Sequence, residues 1–213
     1  MTPTTGPVKP VRLGVLLSGG GRTLLNLLER IRAGDLPAEV AVVLASRDCA
    51  GVERARAAGC RVEVVPYRRM PDTATYSAEL VGRLDEAGVD LVCLAGFLSF
   101  WTLPDRYLGR VMNIHPALLP SFGGEGMYGH HVHEAVLAAG CKVSGCTVHF
   151  VNNEYDAGPI IVQKAVPVLE GDTPDTLAAR VFERECEAYP EAIGLFAAGR
   201  LRIDGRVVRV VTA

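Results

Sequence analysis

Val11-Arg12-Leu13-Gly14-Val15-Leu16-Leu17-Ser18-Gly19-Gly20-Gly21-Arg22-Thr23 begins as a short apolar strand, turns on glycines and leads into Leu24-Leu25-Asn26-Leu27-Leu28-Glu29-Arg30-Ile31, which has helical spacing. Strand, glycine turn and helix make one β/α step, and the same alternation continues outward from it. Residues 39–45 read as a buried strand, 51–59 as a helix, 61–65 as a strand, 73–87 as a helix and 90–95 as another buried strand. Near-continuous apolar strands separated by helices imply a mostly parallel sheet covered on both faces, with right-handed crossovers. The expected class is doubly wound α/β. Residues 1–10 hold three prolines and no periodic pattern, so they read as a flexible leader before a single domain over 11–213.

The 213 residues are 49% hydrophobic and 22% charged, an ordinary globular balance with enough length for one sizeable core. A net charge of −2 leaves no basic footprint for nucleic acid or an anionic membrane surface, which points to a small-molecule partner. There is no apolar signal core near the start and no apolar run of about 18 residues, so a cytoplasmic location is expected. Cysteines 49, 60, 93, 141, 146 and 186 form no C-x-x-C pair and read as free thiols.

Val111-Met112-Asn113-Ile114-His115-Pro116-Ala117-Leu118-Leu119-Pro120 is an apolar strand interrupted by two polar residues spaced by two, which places Asn113 and His115 on one face. Pro116 cannot donate to a ladder, so the pair ends the strand, where open α/β sheets bind ligands. Backbone satisfaction of both side chains is the competing reading. The glycines at 19–21 could cradle a phosphate at the helix start or only join strand to helix. Phe97, Leu98, Phe100 and Trp101, just after the strand at 90–95, are either core beneath a loop or the apolar wall of a cleft.

Residues 121–133 are glycine-rich and enter a helix at about His130. All five histidines fall between 115 and 149, yet no H-E-x-x-H occurs, and His130, His131 and His133 do not share a helix face; no metal is expected. Strands at 144–151 and 160–168 flank a polar turn, which suggests an antiparallel hairpin with Asp156 at its tip. A turn Asp commonly caps backbone, so function requires a partner. Asp172 to Asp175 cap a long helix reaching about Ala198, expected to break or bend near Pro190, and 201–210 carry an Asp-Gly hairpin signal.

Together these residues resemble the phosphoribosylglycinamide formyltransferases. The specific blocks are Asn113-Ile114-His115-Pro116 with Leu118-Leu119-Pro120, then Gly145-Cys146-Thr147-Val148-His149-Phe150-Val151 followed by Asp156-Ala157-Gly158-Pro159-Ile160-Ile161. Ser18-Gly19-Gly20-Gly21, Leu94-Ala95-Gly96-Phe97 and Glu185 match less specifically. The resemblance implies the formyltransferase fold and transfer of a formyl group from 10-formyltetrahydrofolate, as co-substrate, to glycinamide ribonucleotide. Asn113, His115 and Asp156 would be catalytic, with Asn113 and a protonated His115 stabilising the oxyanion and Asp156 raising the His115 pKa. Gly20, Gly21, Arg22, Thr23 and Glu185 would hold the ribonucleotide. Leu98, Ser99, Phe100 and Trp101, with Val151, Asn152, Asn153, Glu154 and Asp156, would hold the folate.

Three departures from the family pattern stand out: Arg22-Thr23 in place of Ser-Asn, Ser99 where a basic residue is expected, and a longer link at 123–131. A formyltetrahydrofolate hydrolase, or a transferase for another amine, would use the same trio. A noncatalytic nucleotide-binding module is the alternative from another class. Oligomeric state is left open.

Overall fold

The computed structural model describes residues 9–212. The expected leader over 1–10 lies outside the described residues except for Lys9 and Pro10, both exposed. The chain runs β1 (Val11–Leu17), α1 (Arg22–Arg32), β2 (Ala38–Ala45), α2 (Ala50–Ala57), β3 (Val62–Val64), α3 (Thr73–Glu86), β4 (Leu91–Leu94) and β5 (Val111–His115). It continues through α4 (His130–Ala138), β6 (Val143–Phe150), β7 (Ile160–Pro167), α5 (Pro174–Ala197), β8 (Leu201–Asp204) and β9 (Val207–Val210). The nine strands make one sheet in the order β3-β2-β1-β4-β5-β6-β7-β9-β8.

β1 to β5 pair in parallel, while β6 is antiparallel to both β5 and β7. The strand-turn-helix reading and the antiparallel hairpin are both borne out. Alternation along each strand feeds two cores. Leu13, Val15, Val43, Cys93, Met112 and Ile114 pack toward α1, α2, α4 and α5, whereas Leu16, Val42, Leu44, Val92 and Val111 pack toward α3. Both faces of the parallel strands are therefore dry, which explains their unbroken apolar runs.

The chain leaves β1 for β2 on one side and later returns to β4 on the other. The loops after β1 and β4 consequently part at the carboxyl edge, the topological switch point where such sheets open a crevice. Ser18 N–H donates to the Gly96 carbonyl at 3.0 Å and Leu98 N–H donates to Ser18 Oγ at 2.9 Å, fixing the two loops at the base of that crevice.

α5 is a single 24-residue helix running through Pro190, so of the expected break or bend there is no break. Proline removes the N–H that would reach the Cys186 carbonyl four residues back. Asn26 of α1 donates its amide to that carbonyl at 3.1 Å, so the vacant acceptor is satisfied from outside. Thr173 and Thr176 form a reciprocal capping box at the other end.

Candidate active site

Asn113 and His115 project from β5 on the same face, as their spacing required, and Pro116 follows directly. Thr147, opposite His115 on β6, pins the exit: its hydroxyl donates to Ala117 O at 2.6 Å and accepts from Leu119 N–H at 3.0 Å. The β6–β7 loop leaves the sheet level with Val111, and Asp156, with φ of 50°, turns its carboxylate back to the pair. Asn113 Nδ2 lies 3.4 Å from Asp156 Oδ1, and His115 Nδ1 lies 3.5 Å from Asp156 Oδ2.

The glycine-rich link after β5 holds both ionisable members through backbone. His115 Nε2 donates to Phe122 O at 2.8 Å, and Gly124 N–H donates to Asp156 Oδ2 at 3.0 Å. A Cβ on Gly123 would come within 2.5 Å of Leu119 Cδ2 and 3.2 Å of Asp156 Cβ, so a larger residue there must displace the Leu119 side-chain end and press on Asp156. Because a carbonyl only accepts, Nε2 of His115 carries the proton and Nδ1 presents its lone pair to Asp156 in the neutral ring.

Burial pushes the His115 pKa below its ordinary value, outweighing the upward pull of Asp156 and of the Phe122 carbonyl; His149 adds to the fall. The expected upward pull of Asp156 is present, but in the chain without ligand depth outweighs it. Burial also pushes the Asp156 carboxyl up, but the His149 imidazole, the His115 charge and Gly124 N–H together hold it below the ordinary value. The arrangement is an ionised carboxylate facing a neutral imidazole, a ready place to receive a proton.

These groups border a cavity of about 420 Å³, a size suited to a small ligand. One side is Leu98, Ser99, Phe100, Trp101 and Val151 with Asn152 and Glu154. The other is the start of α1, with Arg22 and Thr23, facing Phe182 and Glu185 of α5. The Arg22 guanidinium stacks 3.7 Å from the centre of the Phe182 ring. Burial pushes the Glu185 carboxyl up to about 7, with Arg22 pulling it only partly back. Among the described residues, Trp101 Nε1 and His133 Nδ1 are buried without a partner. No group of three or more His, Cys, Asp or Glu among the described residues is placed to hold a metal ion.

A family model described as formyl transferase matches residues 11–193. The chain belongs to the formyl transferase family. It is 43% identical over 195 residues to phosphoribosylglycinamide formyltransferase, chloroplastic, of Arabidopsis thaliana, covering 90% of this chain and 67% of that protein. It is 39% identical over 204 residues to the trifunctional purine biosynthetic protein adenosine-3 of Bos taurus, covering 93% of this chain but spanning only 20% of that protein. A crystal structure of glycinamide ribonucleotide transformylase 1 from Symbiobacterium toebii superposes with a TM-score of 0.90 at 46% identity, covering 96% and 95% of the two chains.

Within this formyl transferase, most residues singled out in the sequence meet in one cavity. Gly20, Gly21 and Asn153 do not line it. The Gly20 carbonyl accepts from Arg54, and Gly21, with φ of 72°, packs its backbone on Gly51. Asn153 clamps Leu103, accepting from its N–H at 2.8 Å and donating to its carbonyl at 3.2 Å.

Sequence reasoning left His149 without a role, yet it stands directly across the ladder from Asn113, with Nε2 3.3 Å from Asn113 Nδ2 and 3.5 Å from Asp156 Oδ1. The signal was present in the polar Thr147 and His149 of a half-apolar strand; its register against β5 was not. The Phe122 and Gly124 backbone contacts have no side-chain signature at all.

Proposed function

We propose that this chain transfers the formyl group of 10-formyltetrahydrofolate to the amine of glycinamide ribonucleotide, a step of purine synthesis, in the cytoplasm. The observation that carries this reading is the convergence of Asn113, His115 and Asp156 between an apolar wall and the start of α1. The reacting unit is a single domain beginning at Val11.

The pterin lies along Leu98 to Trp101 and the loop 151–156. The phosphate takes the N–H groups that open α1, with Arg22 and Thr23 supplying charge and hydroxyl. Glu185, beside Arg22, accepts from hydroxyl and amide donors of the ribonucleotide.

The amine attacks the formyl carbon, and the developing oxyanion displaces Asp156 from the long Asn113 Nδ2 contact to take that N–H. His115 Nδ1, neutral at the outset, receives the proton lost by the attacking nitrogen. The resulting imidazolium is held against Asp156 until the proton passes to the departing folate nitrogen. No covalent intermediate with the protein forms.

Turnover with glycinamide ribonucleotide and 10-formyltetrahydrofolate tests the reading. Asn113→Ala and His115→Ala should each lower kcat by at least about tenfold with the fold intact, as for loss of an oxyanion donor. Formate release independent of the amine would instead identify a hydrolase.

A further inference from the structure

The pairing of β4 with β5 ends on Leu94 and Asn113, and beyond that pair the two strands part. Ala95 N–H donates to Leu16 O at 2.8 Å and the Gly96 carbonyl accepts from Ser18 N–H, so the chain after β4 follows β1. Asn113 and His115 stay paired with His149 and Thr147 of β6. The reaction cavity enters at this parting, where Leu94, Gly96, Asn113 and His115 line it. Tyr189 of α5 reaches the same point from the other face of the sheet: it shares a core with Met112, whereas Asn113 alternates to the face of Val111. Its hydroxyl donates to Met112 O at 2.9 Å and to Leu94 O at 3.1 Å.

The Met112 carbonyl lies in one peptide plane with the nitrogen of Asn113, and the Leu94 carbonyl in one plane with that of Ala95. A bond to each oxygen therefore fixes the tilt of the two peptides from which the catalytic pair and the donor wall depart. Tyr189 is fully buried, and burial pushes its phenol well above the ordinary 10, so the hydroxyl is a permanent donor. The donor wall has further anchors on β1 through Leu16 and Ser18, whereas on the β4 side the Met112–Asn113 peptide stands at the last paired residue. We propose that Tyr189 is a positioning residue for formyl transfer, setting through the Met112–Asn113 peptide the direction in which the Asn113 amide meets the oxyanion. This rests on the oxyanion role of Asn113 given above. A misplacement of 1 Å costs about 100-fold in rate, so a tilt that moves the amide by about a third of that costs about fivefold. The oxyanion exists only as the reaction proceeds, so the loss falls on kcat and spares both KM values.

The test is a double-mutant cycle on kcat in the full chain with glycinamide ribonucleotide and 10-formyltetrahydrofolate. Tyr189→Phe keeps the ring and its packing; it should lower kcat about fivefold, with both KM values within about twofold of the native ones. In the Asn113→Ala background the same substitution should lower kcat by less than about twofold, because the amide it steers is gone. Tyr107→Phe is the stability control: it strips another buried phenol of its bond, to Asp85 Oδ1 at 2.9 Å, and should leave kcat unchanged while lowering the thermal midpoint. A native kcat in Tyr189→Phe, a full fivefold loss retained in the Asn113→Ala background, or an equal loss of kcat in Tyr107→Phe overturns the positioning role alone. Absence of turnover in the native chain, or turnover untouched by Asn113→Ala, overturns the parent reading as well.

Discussion

His149 Nδ1 lies 2.9 Å from the Phe150 carbonyl, so in the neutral ring that nitrogen holds the proton and Nε2 offers a lone pair to Asn113. This contact and the Asp156 carboxylate both hold the amide nitrogen of Asn113 toward the reaction centre; once the oxyanion displaces Asp156, His149 is the acceptor that remains. Replacing His149 by Phe should lower kcat by about tenfold, one hydrogen bond's worth, with both KM values little changed. His149→Gln should recover most of the loss by restoring an acceptor, and an equal loss in both variants would contradict the orienting role. Asp156 raises the His115 pKa while burial lowers it more, so the acid limb of kcat/KM should lie below pH 6.5. Asp156→Asn should carry the remaining activity to a still lower limb, measurable as a pH profile. His115 illustrates what sequence withholds at this scale. Its pairing with Asn113 followed from a spacing of two, but the depth that sets its charge depends on every element packed over it.

At the scale of elements, α5 shows a proline tolerated mid-helix because α1 supplies the missing partner. Asn26→Leu should reduce the unfolding free energy by about 1–3 kcal/mol by orphaning the Cys186 carbonyl; urea denaturation with no change in midpoint would dismiss the role. The strands at 11–17, 39–45 and 90–95 were legible because burial on two faces leaves a continuous apolar run, whereas the partner of a proline's vacated carbonyl lies 160 residues away and leaves no local trace. The link after β5 is likewise a clamp rather than a free loop. A methyl at Gly123 would press on Leu119 Cδ2 and on Asp156 Cβ, the carbon that carries the carboxylate facing His115. Gly123→Ala should therefore cost about 1–3 kcal/mol in overpacking strain and lower kcat by about tenfold. Stopped-time assays with normal turnover would exclude that coupling.

For the whole molecule, the pKa directions define a two-stage response to acid. His115 and His133 are both held below the ordinary 6.5 by burial, so the unfolded chain binds more protons there and stability falls as pH drops from 6.5 toward their folded values. Asp156 and Asp172 are held below the ordinary 3.8, Asp172 chiefly by Arg180, so their contribution, full above 3.8, is lost as pH falls further. Glu185, raised to about 7, works the other way in the same window, so the histidine contribution is read by comparison: between pH 6.5 and about 5 the thermal midpoint of His133→Phe should fall less than that of the native chain, and both should fall steeply below 3.8. The sheet order that opens the crevice was readable as a class, but the side on which each strand joined was a matter of crossover geometry that composition does not encode. The contact between the loops after β1 and β2 bears on how variants would be sorted by selection. A Cβ at Gly21 would approach Gly51 Cα to 2.8 Å, and one at Gly51 would approach Gly19 O to 2.6 Å, while Gly19 has open space. A randomised library over these positions, selected for purine prototrophy, should return glycine at 21 and 51 and varied residues at 19. Intolerance at 21 would then register the seam between two helices' entry loops, and counting it as a lost anion contact would misread the map.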